Sequence, residues 1–393
     1  MENIFHSIIT HSDELNLKGK NQDFFIRKLI ENIKNLLPCS SARNAGRKLH
    51  IEFNKKISSA ELAEHINLLK LLPGISNIAP AIMCTADLGE IKQTVLRVVN
   101  FYEPRTFKIN TVRSNKKFSL NSMAVDAEVG GFILEKIKED GKEIKVDVRN
   151  PELEIKIEIG KMSAAVLGRK EEGIGGLPAG TAGKVLCLMS GGIDSPVAAF
   201  EMMKRGAKVD FVHFKNQTIN RGAVENKIKK LVQCLARVQG ESVLHIVPFA
   251  DLQSQVIANI PADIRMIVYR RLMFKLAEKL CAETGAKALA TGDSLAQVAS
   301  QTLENLNVIY EASSMLKLPP LIAQNKRQIM DLAKKIGTYE ISIEPYQDCC
   351  SFFIARHPET RAEIGKIIEA EKKLDVDDLI ENALAKKEKF IFD

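Results

Sequence analysis

Two hydrophobic spacings alternate along the first part of the chain. A short apolar-rich run at residues 4–9 predicts a strand; after Lys18-Gly19-Lys20-Asn21, apolar residues recur at Phe25, Leu29, Ile33 and Leu36, the spacing of a helix face. Residues 49–53 read as a second strand. Ser58 with Glu61 three positions on forms a capping-box pattern, and Leu62, Ile66 and Leu69 continue the helix until Pro73-Gly74 stops it. An extended segment, 75–83, follows, so this part is expected to be a small α+β unit, ferredoxin-like in arrangement. Asp87 with Glu90 opens the next helix, buried through Ile91, Val95, Val98 and Val99. Then come a strand at 106–113, a helix carrying Met123, Val125, Val129, Phe132, Ile133 and Ile137, and strands at 144–148, 154–159 and 163–167.

Residues 173–183 hold five glycines, which no helix or strand interior tolerates well, so this stretch reads as a linker or an ordered loop. Beyond it the pattern changes. An apolar run without polar alternation at 185–189 and further strands at 209–214, 242–247 and 286–290 are separated by helical patterns, with helices expected at 223–238 and 263–284. Such an alternation predicts an α/β fold, a doubly wound parallel sheet with ligands at the carboxyl ends of its strands. The tail from 359 carries Ile364, Ile367, Ile368 and Leu374 at helical spacing and is expected to cap that domain.

Composition changes this picture little. The chain has 393 residues, 45% of them hydrophobic and 27% charged, as in ordinary multi-domain globular proteins. No run approaches the ~20 apolar residues of a membrane helix, and the first residues lack the marks of a secretory leader, so a cytoplasmic location without membrane contact is expected. The seven cysteines form no Cys-x-x-Cys pair and argue against a disulfide scaffold. The net charge of +7 suits a polyanionic partner without requiring one.

Candidate chemistry gathers at Val185-Leu-Cys-Leu-Met-Ser190-Gly-Gly-Ile-Asp-Ser195-Pro. A buried strand stops at a turn in which two glycines let backbone N–H groups approach an anion, and a helix N-terminus follows. The string lacks the lysine of a Walker loop and the three glycines of a dinucleotide fingerprint. Ser190-Gly-Gly-Ile-Asp-Ser195 resembles the PP-loop of ATP pyrophosphatases, which implies that the turn holds the pyrophosphate part of ATP. Upstream, the basic residues Arg105, Lys108, Arg113, Lys116 and Lys117, with Phe118 beside them, fit either a solvated sheet edge or a grip on a phosphate backbone with one ring free to stack. The succession from Phe107 through Val146-Asp-Val-Arg-Asn-Pro151 to Ile159 resembles a THUMP domain, an RNA-binding module.

Taken in order, Gly180-Thr-Ala-Gly-Lys184, the PP-loop string, Thr291-Gly-Asp-Ser-Leu-Ala-Gln-Val-Ala-Ser-Gln301, Ile336-Gly-Thr-Tyr-Glu340 and Asp348-Cys-Cys350 resemble the tRNA 4-thiouridine synthase family (ThiI), in its form without a rhodanese domain. The resemblance implies a ferredoxin-like domain at 1–58, a THUMP domain at 59–168, a linker at 169–183 and a PP-loop domain at 184–393. It places ATP contacts on Leu188, Met189, Ser190, Gly191, Gly192, Ile193, Asp194 and Ser195, on His213 and Phe214, and on Arg270, Gly292 and Gln301. Arg270 with Arg271 would otherwise read as a solvated helix face.

Asp194 is expected to orient Mg²⁺ on the leaving pyrophosphate, carboxylate oxygen being a suitable ligand. Lys326 matches a lysine needed for adenylation, although Pro319 and Asn325 stand where arginine and aspartate are common. Cys349 matches a persulfide cysteine, and no iron–sulfur cluster is expected because the Cys-x-x-Cys pair is lacking. The implied partners are tRNA, a cysteine desulfurase as sulfur donor and a thiamine sulfur-carrier protein, with a homodimer left open. The implied product is 4-thiouridine at position 8. Two rivals stand beside this reading: another adenylating PP-loop enzyme, amide-forming or thiolating a different base, and a tRNA-binding protein with a decayed site.

Overall fold

The structure, a computed structural model, describes all residues except 1–3, 39, 47, 55–56, 217–220, 346–354 and 356; the side chains of Asn16 and Arg221 are also left aside. Cys349 and Cys350 therefore lie outside the described residues. Two compact units divide the chain, Met1–Leu177 and Pro178–Asp393.

The first unit runs β1 (Ser7–His11), α1 (Gln22–Leu36), β2 (Ser40–Asn44), β3 (Lys48–Phe53), α2 (Ser59–Lys70), β4 (Ile75–Thr85), α3 (Leu88–Tyr102), β5 (Thr106–Arg113), α4 (Ser122–Glu139), β6 (Lys145–Val146), β7 (Leu153–Ile159), β8 (Ser163–Leu167) and β9 (Glu171–Gly175). Its strands form one sheet in the order β2-β3-β1-β4-β8-β7-β5-β6, with β9 also on β4. The eleven-residue β4 joins both halves, pairing β1 antiparallel from Asn77 to Ala81 and β8 antiparallel from Ala81 to Thr85. The helices pack one sheet face through Leu29, Ile33, Leu69, Val95, Val129 and Ile133, all essentially inaccessible. Each such side chain contributes roughly 2 kcal/mol of burial. The Ser58 capping box is present: Ser58 Oγ accepts the Glu61 N–H at 3.1 Å and Glu61 accepts the Ser58 N–H at 2.7 Å.

The glycine-rich stretch expected as a linker is partly sheet. Strand β9 pairs β4 antiparallel, and a Cβ on Gly173 would meet the Ile75 carbonyl oxygen at 2.2 Å, so glycine is there for close backbone approach.

The second unit runs β10 (Lys184–Leu188), α5 (Asp194–Lys204), β11 (Lys208–Lys215), α6 (Arg221–Gln239), β12 (Ser242–Pro248), α7 (Ala250–Asn259), α8 (Arg265–Thr284), β13 (Ala288–Ala290), α9 (Leu303–Glu311), β14 (Leu316–Leu318), α10 (Lys326–Lys335), α11 (Tyr339–Ile343), α12 (Ile364–Glu371), α13 (Val376–Ala385) and β15 (Glu388–Phe392). Its sheet order is β14-β13-β10-β11-β12-β15, parallel except for β15. The chain steps outward from β10 to β12 and then returns to place β13 on the other side of β10. The carboxyl ends of β10 and β13 thus flank a topological switch point, where open α/β sheets form their ligand crevice.

The tail is helical over α12, where helical spacing was expected, continues through α13 and ends in a strand, β15, antiparallel to β12 from Ser242↔Phe392 to Ile246↔Glu388. Neither Arg270 nor Arg271 is a solvated face. Arg271 is buried on α8, bonding Glu371 of α12 at 2.7 Å and Glu311 of α9 at 2.8 Å.

Candidate active site

At the end of β10 the chain enters the turn through Met189, whose N–H donates to the Val212 carbonyl at 2.8 Å. Ser195, in the first turn of α5, braces the turn from inside. Its Oγ accepts the Ser190 N–H at 2.9 Å and donates to the Ser190 carbonyl at 3.1 Å, while the Gly192 N–H reaches Ser190 Oγ at 3.3 Å. His213 Nδ1 lies 2.9 Å from the Met189 carbonyl, so that nitrogen carries a proton and donates, tying β11 to the turn. The positive end of α5 faces the same space.

A cavity of about 370 Å³ opens here. Leu188, Met189, Ser190, Asp194, Ser195, His213, Phe214, Arg270, Gly292 and Gln301 all line it, so ten of the residues named from the sequence converge on one crevice. Gly191, Gly192 and Ile193 complete the turn between them. Gly292 follows β13 and presses against α5: an added Cβ would lie 2.9 Å from the Asp194 carbonyl carbon and from the Ser195 nitrogen. Its glycine therefore has a packing cause as well as a place on the cavity wall.

Asp194 occupies the first turn of α5, and its Oδ1 accepts from Lys326 at 2.6 Å and its Oδ2 from Gln297 Nε2 at 2.8 Å. Lys326 opens α10, a place that the helix dipole makes unfavourable for a cation, and the Asp194 carboxylate offsets that charge. The uncommon Asn325 acts as the α10 N-cap, accepting the Gln328 N–H at 3.0 Å in a full capping box. Asparagine caps as well as aspartate, so this departure leaves Lys326 in place. Nothing in the structure explains Pro319.

Two residues inside the quoted motifs, Asp293 and Gln297, and one beyond them, Tyr310, belong to the site but were not named from the sequence. Asp293 is buried. It accepts from Arg270 Nη2 at 2.7 and 2.8 Å, Thr291 Oγ1 at 2.7 Å, Tyr310 OH at 2.9 Å and Gln301 Nε2 at 3.1 Å. Burial alone would raise its carboxyl, but the Arg270 charge and the donors from Thr291, Arg270 and Tyr310 outweigh it and hold it below the usual range. Burial, and then the Asp293 charge, push the Tyr310 phenol up. The signal for Asp293 was its position three residues past the end of β13, at a strand's carboxyl end.

Among the described free cysteines, burial raises all four thiols: Cys187 and Cys281 up to about 12, and Cys84 and Cys234 less far. None is set up as a nucleophile.

The basic residues of the first unit do not form one cluster. Arg105 precedes β5 and Arg113, Lys116 and Lys117 follow from its far end, eight residues or roughly 26 Å away, with half-buried Lys108 between. Arg113 Nη1 donates to the Phe118 carbonyl at 3.3 Å. Phe118, whose ring the phosphate-grip alternative left free to stack, is partly buried and packs against the core.

Comparison with known proteins accounts for this arrangement. Residues 180–376 match the family described as "Thiamine biosynthesis protein (ThiI)", 85–167 the THUMP domain and 7–79 the ThiI ferredoxin-like domain. A "Probable tRNA sulfurtransferase" of Caldanaerobacter subterraneus subsp. tengcongensis is 41% identical, covering 94% of this chain and 95% of the relative. One of the same description from Halothermothrix orenii is 39% identical and covers 98% of both. Among solved structures, one described as a 4-thiouridine synthetase–RNA complex with bound ATP superposes with a TM-score of 0.90 at 33% identity, over 99% of this chain and 100% of that one. PH1313 from Pyrococcus horikoshii, at 22% identity and a TM-score of 0.61 over 84% of this chain, shares the fold. Full-length matches at this identity, together with a PP-loop crevice and a THUMP unit in one chain, mean that the chain belongs to the ThiI family of tRNA sulfurtransferases.

Proposed function

We propose that this protein is an ATP-dependent tRNA sulfurtransferase that converts a uridine, at position 8, to 4-thiouridine. The observation that carries the reading is the convergence at the β10/β13 switch point of the braced Ser190–Ser195 turn, the Asp194–Lys326 pair and the Arg270–Asp293 pair. The similarity to the ATP-bound 4-thiouridine synthetase supports it. ATP is a co-substrate here. The turn and the N-terminus of α5 hold its phosphates, Lys326 offsets charge growing on the α-phosphate, and His213 and Phe214 line the adenine side.

The uridine O4 attacks the α-phosphorus, the bond to the β-phosphate oxygen breaks and pyrophosphate leaves. The terminal sulfur of a persulfide on Cys349 then adds at C4, and AMP departs with the former O4. Attack of a second thiol on the Cys349 sulfur frees the thiocarbonyl and leaves a disulfide, which an external thiol reduces. Cys349 is taken as the sulfur carrier because it matches the family's persulfide cysteine; the raised thiols of Cys84, Cys187, Cys234 and Cys281 leave none of those four set up for the role.

Asp194 is the residue that would hold Mg²⁺: it offers one carboxylate beside a phosphate turn, the donor set that this ion uses together with phosphate oxygens. The ion, when bound, neutralises charge on the pyrophosphate. Arg105, Lys108, Arg113, Lys116 and Lys117 are proposed to meet the tRNA backbone in a domain arrangement of 1–58, 59–168 and 184–393. A cysteine desulfurase loads Cys349, and delivery of sulfur to a thiamine carrier protein is a second use of the same persulfide.

The test is Cys349→Ser with tRNA, ATP, Mg²⁺, cysteine and a desulfurase. The variant should release pyrophosphate in a tRNA-dependent way yet form no thiouridine, and full thiolation by it contradicts the persulfide step.

A further inference from the structure

Within the crevice, the most constrained ionisable group is one that has no place in the steps above. Asp293 is 4% exposed, and its two oxygens gather donors from separate segments: Arg270 from α8, Tyr310 from α9, Thr291 from the end of β13 and Gln301 from the loop before α9. A carboxylate buried this deeply is strongly disfavoured unless its charge is matched and its lone pairs filled. Here both conditions are met, and three of the four donors, Arg270, Thr291 and Gln301, line the nucleotide cavity. Arg270 Nη2 spans both carboxylate oxygens and Nη1 reaches the Ser300 carbonyl at 3.4 Å, which fixes the plane of the guanidinium. Gln301 is oriented by the same Oδ1 that Arg270 uses.

We propose that Asp293 is a positioning residue: it locks Arg270 and Gln301 into one pre-oriented unit for the triphosphate without itself meeting the substrate. This rests on the reading of the cavity as the ATP site. A guanidinium held by a buried carboxylate loses little freedom when a phosphate arrives, so the ordering cost is met in folding rather than in binding. Tyr310 and Thr291 complete the device by filling Oδ2, and Tyr310 stays protonated to donate, as its raised phenol requires.

The test is kinetic, in the full-length protein. Asp293→Asn keeps the shape but presents an amide where Arg270 needs an acceptor. It should raise the ATP KM for tRNA-dependent pyrophosphate release about tenfold or more, the size of a lost charge-assisted contact, and leave the tRNA KM within about twofold. In an Arg270→Met background the same change should add clearly less to the ATP KM than it does in the wild type, because only the hold on Gln301 is left to lose. Tyr310→Phe, which keeps the ring packing, should raise the ATP KM several-fold, and it carries the test if Asp293→Asn does not fold. A folded Asp293→Asn with the wild-type ATP KM, or losses from Arg270→Met and Asp293→Asn that multiply, overturns the inference. If wild-type protein released no pyrophosphate with tRNA, the proposed reaction would fail instead. ATP affinity by equilibrium dialysis on the same variants would still decide the role of Asp293.

Discussion

Gly292 has room for a hydrogen and nothing larger. With a methyl group 2.9 Å from backbone atoms of Asp194 and Ser195, either the end of β13 or the start of α5 has to shift. Gly292→Ala should cost about 1–3 kcal/mol of stability, as over-packed sites do, and should weaken ATP binding further because the displaced backbone carries Asp194. Urea unfolding and equilibrium dialysis report the two effects, and wild-type ATP affinity in the variant contradicts the packing argument. Lys326→Gln behaves differently. Its side chain is half-exposed, so the fold should stay intact while tRNA-dependent pyrophosphate release falls by at least about tenfold, the loss of one charge contact in the transition state. Equal turnover in the variant would remove Lys326 from the chemistry. Ser190, Asp194 and Gly292 could be named from the sequence because each sits in a quoted motif, and all three line the cavity; Lys326 was named with departures from the family pattern at Pro319 and Asn325. Asp293 was not singled out: its place just past β13 was a signal, but sequence alone does not separate a buried ion pair there from a surface aspartate.

Elements with strong periodicity or explicit caps were legible nearly to the residue. The strand expected at 106–113 is β5, the strand at 163–167 is β8, and the helix opened by Ser58 is α2. Strands without alternation were missed. Strand β2, Ser-Ser-Ala-Arg-Asn, is mostly exposed beyond its first residue, and β9 hides inside the glycine-rich stretch where backbone contact, not side-chain pattern, makes it a strand. Strand β15 was not read from the sequence either: the helical spacing named for the tail ends at Leu374, and the strand is set by pairing with β12, far back along the chain. The α2 cap offers a test at this scale. Ser58→Ala should remove about 1 kcal/mol and lower the thermal midpoint of the protein, with ATP use unchanged; no change in midpoint would mean that Glu61 alone holds that helix end.

At the scale of the whole molecule, pH reports on two buried histidines, His50 and His245, and the half-buried His11. Burial, ahead of nearby charges, lowers His11, His50 and His245 below their ordinary 6.5, and neither ring nitrogen of His245 has a hydrogen-bond partner among the described residues. The unfolded chain then binds these protons more readily than the native one. Stability is therefore fully present above 6.5 and falls as pH drops from there towards the lower folded values. The urea midpoint should be lower at about pH 5 than at about pH 7.5, and the two coinciding contradicts this. The two-unit division, between Leu177 and Pro178, falls inside the glycine-rich stretch where the sequence placed a domain boundary. What the sequence did not show is that β4 fuses the first half into a single sheet, a consequence of pairings far apart along the chain.

The central claim, that ATP is split in the β10/β13 crevice to activate a uridine, is tested most directly by one reaction. An unmodified tRNA transcript is incubated with the protein, ATP, Mg²⁺, cysteine and a desulfurase, and thiouridine absorbance is followed together with pyrophosphate. The account predicts that both products appear only with ATP and tRNA present, and that Asp194→Ala, although folded, abolishes both. Pyrophosphate release that tRNA does not stimulate, with no thiouridine formed, would contradict it.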